Sequence, residues 1–155
     1  MAGSEFASPE LALCFDKIER CIDRIVELLV GCADQAAVSP PVPGANSLAT
    51  IVSHVIGNVS ENILGTVGGE LFERDRDAEF AIEPSVSDLL ALWEGLRPRL
   101  RAVAASIPTS ALFEPRPHPR RGEISVLEVF LVVLRHMGEH EGHAQLTSDW
   151  LAAGR

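Results

Sequence analysis

Apolar residues recur every three or four positions in four separate stretches of the chain, the spacing of helices that each bury one face. In the first stretch Leu11, Cys14, Phe15, Ile18, Ile22, Ile25 and Leu29 keep this spacing, while Asp16, Glu19, Arg20, Asp23, Arg24 and Glu27 fill the other side. Ser8-Pro9-Glu10 before it offers a hydroxyl cap, a proline where the missing N–H costs nothing and an acid in the first turn, so a helix is predicted over residues 9 to 32. The second stretch, capped by Asn46 or Ser47, carries Leu48, Ile51, Val52, Val55, Val59 and Ile63 and ends at the Gly68-Gly69 pair. Ser85-x-x-Asp88 has the form of a capping box and opens the third, whose stripe is Leu89, Leu92, Trp93, Leu96, Leu100 and Val103. Pro98 inside it predicts a kink or break, because it removes a backbone donor and crowds the preceding turn. Ser125-x-x-Glu128 opens the fourth, with Val126, Val129, Phe130, Val133, Met137 and Trp150.

The segments between these helices lack periodicity. The proline-rich run from Val38 to Gly44 has to cross over as extended chain. Residues 70 to 84 are charged and irregular, and the run Arg74 to Asp77 reads as a solvated surface turn. Residues 107 to 122 hold four prolines and read as a loop, with His118 exposed between Pro117 and Pro119. Four helices with one apolar face each predict an all-α four-helix bundle, and the long connections permit crossovers. The first six residues, small and polar, look like a cloning remnant, leaving residues 7–155 as a single domain able to bury about two-thirds of its unfolded surface.

Composition narrows the partners. A net charge of −9, with arginines scattered or grouped only around 97 to 101 and 116 to 121, argues against nucleic acid and against an acidic membrane surface. No apolar run is long enough to span a bilayer and no signal-peptide core is visible, so a cytoplasmic protein is expected. The three cysteines form no Cys-x-x-Cys motif and read as small core residues.

The chemistry is concentrated in the fourth helix, where His136, His140 and His143 place three of the five histidines within eight residues. At about 100° per residue they share one narrow stripe, in line with Val129 and Val133, so they point inward and need partners. His136 and His140, one turn apart, can take two adjacent positions on one ion. His54, on the flank of the second helix's apolar arc, can supply a third; the alternative is that His54, Asn58 and Glu61 form a solvated face. Three neutral nitrogens suit zinc, nickel, copper or iron and leave a position open for water or substrate. His143 is either a fourth ligand or a group facing substrate, and Glu139, Glu141 and Glu61 either act as a base, orient an imidazole, or lie on the surface. The segment is one residue short of the zincin His-Glu-x-x-His, and a di-iron Glu-x-x-His pair is not present on two helices.

Asn46-Ser-Leu-Ala-Thr-Ile-Val-Ser-His54 together with His136-x-x-x-His140-Glu-Gly-His143-Ala-Gln-Leu146 resembles the DinB-like superfamily of metal-binding four-helix bundles. The resemblance implies that His54, His136 and His140 bind a divalent transition metal, zinc or nickel first and iron as a further option. The run after His140 is similar to the mycothiol-dependent, maleylpyruvate isomerase-like branch. There the expectation is a thiol-dependent S-transferase or isomerase, acting on a low-molecular-weight thiol and an electrophile as a homodimer, with His143, Glu139 and Glu61 as catalytic groups and Asn58 in the cofactor site. The chain departs from the pattern at Asn46, where many relatives have tryptophan, and at His143, where glutamine is frequent. A hydrolase using the same ligands and an activated water, or a non-catalytic module stiffened by metal, are the alternatives.

Overall fold

Helix α1, Pro9–Val30, starts where the Ser8 hydroxyl accepts from the Leu11 N–H, and it buries Leu11, Phe15, Ile18, Ile22, Ile25 and Leu29. That stripe is the axis of the computed structural model, which describes residues 5–71, 73–81 and 84–154. A short helix α2, Asp34–Val38, precedes the extended proline-rich crossing, and α3, Leu48–Val59, begins at a Ser47 cap. Helix α3 passes directly into a π-helical segment, Ser60–Val67, which ends at the two glycines. After a short helix α4, Arg76–Ala81, come α5, Val86–Ser106, and α6, Val126–Ala153, each capped by the predicted serine. At 1.5 Å per residue α6 is about 42 Å long and spans the whole bundle.

Helix α1 packs against α3, α5 and most extensively α6, while the π segment packs against both α5 and α6. Helices α5 and α6 therefore lie diagonally opposite, and the connection between them crosses one end of the bundle. The predicted all-α four-helix bundle with crossover connections is the observed fold. Among the described residues no helix is long and apolar enough to cross a membrane.

Four local expectations are corrected. Residues 107 to 122 are not a loop: a 3-10 turn, Thr109–Ala111, leads into an antiparallel hairpin of β1, Pro115–His118, and β2, Gly122–Ser125. Pro115 and Pro117 alternate along β1, so both missing donors fall on the strand's unpaired edge, and Gly122 closes the hairpin with a φ of 72°. Arg74 is not on a solvated turn, since its side chain is 2% exposed, and Arg76 and Asp77 begin α4. Leu92 is not part of the α5 stripe; it is exposed, because its neighbour Trp93 takes the inward position and donates its indole N–H to Asp23. Of the kink or break predicted at Pro98, the break is absent: α5 continues as one helix to Ser106. Phe6, set outside the fold on sequence grounds, packs its ring 6.0 Å from that of Phe15.

Candidate metal centre

The middle of α3 and the middle of α6 face each other, and their inward positions are histidines rather than aliphatic residues. His54 is buried, His136 and His140 are half-buried, and one ring nitrogen from each lies within 4.8 Å of the other two. His54 Nε2 and His136 Nε2 are 3.1 Å apart. Two nitrogens bound at about 2.0–2.1 Å to one ion are separated by about 2.8–3.0 Å if octahedral and about 3.3–3.4 Å if tetrahedral, so this spacing is already that of a ligand pair. The rings meet edge to face, with centroids 4.5 to 5.2 Å apart.

The electrostatics keep all three imidazoles neutral at pH 7. Burial pushes His136 down to about 4, helped by His140, His54, Arg74 and Arg135. Burial likewise pushes His140 to about 4, with His54 and His143 adding to it. His54 is lowered by burial and by Arg74, against the opposing pull of Glu79. Neutral imidazoles present lone pairs, and His140 Nδ1 is buried without a hydrogen-bond partner among the described residues. A cation at the centre of the cluster would satisfy these groups together, so the residues fit a divalent metal with three nitrogen ligands.

A carboxylate stands behind His54. His54 Nδ1 donates to Glu79 Oε2 at 3.1 Å, which fixes the tautomer and leaves the Nε2 lone pair directed toward His136. Glu79 is held in turn by Arg74, through Nε at 2.5 Å and Nη2 at 2.7 Å, and Arg74 Nη2 also donates to the His54 carbonyl at 3.2 Å. Arg74 Nη1 then reaches Glu61 Oε2 at 3.3 Å, and Arg120 from the hairpin donates to both Glu61 oxygens. The chain His54–Glu79–Arg74–Glu61–Arg120 ties α3, α4, the π segment and the hairpin together.

Each residue named from sequence has a definite place. His54, His136 and His140 are brought together. His143 is half-buried and stacks beside His140, with centroids 6.0 Å apart and planes at 26°. Glu139 is exposed, 3.6 Å from Arg135 and 4.0 Å from His136 Nδ1. Glu61 is buried in the π segment between two arginines. Asn58 lines the cavity beside His54, its buried Oδ1 unpaired among the described residues. Glu141 turns instead to Cys21 of α1, a thiol that burial and then Glu141 push up to about 11, so it offers no thiolate near neutral pH.

His118 is a correction. It is buried, not exposed: its Nδ1 accepts from the Arg120 N–H at 3.1 Å, its Nε2 donates to Asn62 Oδ1 at 3.1 Å, and Asn62 donates to the Asn58 carbonyl at 2.8 Å. The proline flanks that suggested exposure instead stiffen the strand that carries it inward. Sequence reasoning also missed Glu79 and Arg74, since neither sits on a periodic stripe. The π segment left no sequence signal, although π turns in helices cluster at functional sites.

The sequence profile of the DinB superfamily matches residues 17–144. The chain belongs to the DinB superfamily. A crystal structure of a conserved protein from Enterococcus faecalis shares the fold, with a TM-score of 0.71 at 12% identity over 92% of this chain and 96% of that one. No curated protein matches the chain in sequence.

Proposed function

We propose that this DinB superfamily member is a divalent-metal-dependent enzyme, with His54, His136 and His140 as ligands, that acts on a small-molecule thiol and an electrophile as an S-transferase or isomerase. The observation that carries the reading is the convergence of three neutral imidazoles from two helices beside an open cavity that His54 and His136 help to line. A structural metal closes its coordination shell with protein, whereas three nitrogens next to a cavity leave room for an exchangeable ligand. A zinc or nickel ion in such a site lowers the pKa of a bound thiol or water toward neutrality.

The remaining roles fall to the chain's own residues. Glu79 holds the His54 ring in its ligating tautomer and Arg74 holds Glu79. In this reading His143, stacked beside His140, and Asn58, on the cavity wall with an unpaired Oδ1, hydrogen-bond the substrate. Elemental analysis of untagged protein should find about one divalent ion per chain, and the loaded protein should form thioether conjugates from electrophiles only when a low-molecular-weight thiol is added. Turnover that ignores the thiol would replace this reading with the hydrolase, and absence of metal from the wild-type protein would end both.

A further inference from the structure

The cavity beside the histidines is cationic in an acidic protein. It measures ≈150 Å³, and its wall includes Arg74, Arg76, Arg120, Arg121 and Arg135, five of the thirteen Lys and Arg residues in a chain of net charge −9. Two of these, Arg74 and Arg120, are matched by Glu61 and Glu79. Arg135 is loosely matched by Glu139 at 3.6 Å. Arg76 and Arg121 form no ion pair with any described residue, although exposed Asp75 and Asp77 flank Arg76 in sequence.

Local structure explains the placement. The hairpin turn of β1 and β2 carries Arg120 and Arg121 to the cavity, and His118 and Asn62 anchor that turn to the π segment. Helix α4 brings Arg76 in from the other side through the Arg74–Glu79 pairing. Two exposed guanidiniums from separate elements line one cavity, and neither is in an ion pair with a described residue, so both keep donors for an oxyanion.

We propose that Arg76 and Arg121 bind the oxyanion group, carboxylate or phosphate, of a small molecule whose remaining part extends toward the three histidines. The volume is below the roughly 300–1,000 Å³ of a drug-sized site, so it takes one anionic group and a short stem rather than a polymer. Naming this molecule as the substrate or thiol rests on the metal-enzyme reading above; the anion site itself does not.

The test is titration calorimetry of the metal-loaded protein with inorganic phosphate and, separately, succinate, at low and moderate sodium chloride. At least one probe should bind saturably at one site per chain, weaken with salt, and lose about tenfold or more in affinity in Arg76→Gln and Arg121→Gln. Exposed Arg20→Gln on α1 serves as the charge control and should leave affinity unchanged, and circular dichroism checks that each variant folds. Saturable binding of neither probe, unaltered binding in both cavity variants, or an equal loss in the Arg20 control would overturn the proposal. His140→Ala should keep the anion while losing the metal. If the wild-type chain binds phosphate or succinate but no metal, the enzyme reading fails and the anion site stands.

Discussion

Glu79, on a six-residue helix with no periodic signal in the sequence, accepts a hydrogen bond from His54 Nδ1 at 3.1 Å and so orients the imidazole that meets His136 across α3 and α6. A carboxylate behind a ligating imidazole raises its basicity and fixes its ring, and losing such a partner commonly costs about 10–100-fold in metal affinity. Glu79→Gln keeps an acceptor but removes the charge, so it should weaken zinc or nickel binding within that range while the protein stays folded. Competition with a chromophoric chelator measures this. Affinity equal to wild type would show that Glu79 serves α4 and Arg74 alone.

Removing a ligand should act more sharply than removing its support. His54→Ala and His140→Ala each leave two nitrogens on one helix or split across two, and both should abolish stoichiometric metal binding by elemental analysis. Unchanged metal content in both variants would rule out the site.

How far the sequence reached follows from what kind of interaction holds each part. Helix positions and caps rest on local spacing, and Ser8, Ser47, Ser85 and Ser125 all cap as their sequence contexts predict. The three-histidine cluster was legible because His136 and His140 are four residues apart on one helix, where spacing alone places them together. Glu79 and Arg74 reach His54, and His118 reaches Asn62, across 20 or more residues of chain from segments without periodicity, so tertiary packing alone makes these contacts. Leu92 and Trp93 show the same limit within a helix: spacing admits both to the stripe, and the Trp93–Asp23 hydrogen bond goes with Trp93 buried and Leu92 exposed.

The depressed histidines make the metal-free protein acid-sensitive. His136 and His140 titrate at about 4 when folded, against about 6.5 when unfolded. Between those values the unfolded chain takes up protons that the folded chain refuses, so stability should fall as pH drops from about 6.5 to about 4 and level off below. Above about 6.5 these two groups should contribute no slope. Urea midpoints of chelator-treated protein across this window check the sign, and His136→Ala should flatten the curve. A wild-type midpoint that does not move between about pH 6.5 and 5 would contradict it.

Arg74 links two buried carboxylates, and its removal leaves Glu79 without a cationic partner while it keeps the His54 hydrogen bond. Its side chain is 2% exposed, and Glu79, at 11%, depends on it for two hydrogen bonds, whereas Glu61 keeps Arg120. Breaking one partner of a buried pair costs about 3–5 kcal/mol, because the remaining charge stays desolvated. Arg74→Ala should therefore destabilise by about that much in urea, and the double variant Arg74→Ala/Glu79→Gln should recover part of the loss. No recovery in the double variant would place the cost in lost packing instead.

Gly57 sits one turn beyond His54 on α3, where a side chain would meet the same network. A Cβ built there overlaps Glu79 Oε1 and comes within 3.0 Å of Glu79 Cδ and 3.1 Å of Arg74 Nε. Helix propensity favours alanine over glycine by about 1 kcal/mol, so the helix itself should tolerate the change. What has to move is the Glu79 carboxylate, the flexible end of the contact, and with it the hydrogen bond to His54. Gly57→Ala should thus weaken metal binding by about the same factor as Glu79→Gln without a comparable loss of stability. Because both changes act through one carboxylate, their effects on metal affinity should not add: Gly57→Ala/Glu79→Gln should bind metal about as well as Glu79→Gln alone. Full additivity in the chelator competition would mean that the glycine shapes the site by some route other than Glu79.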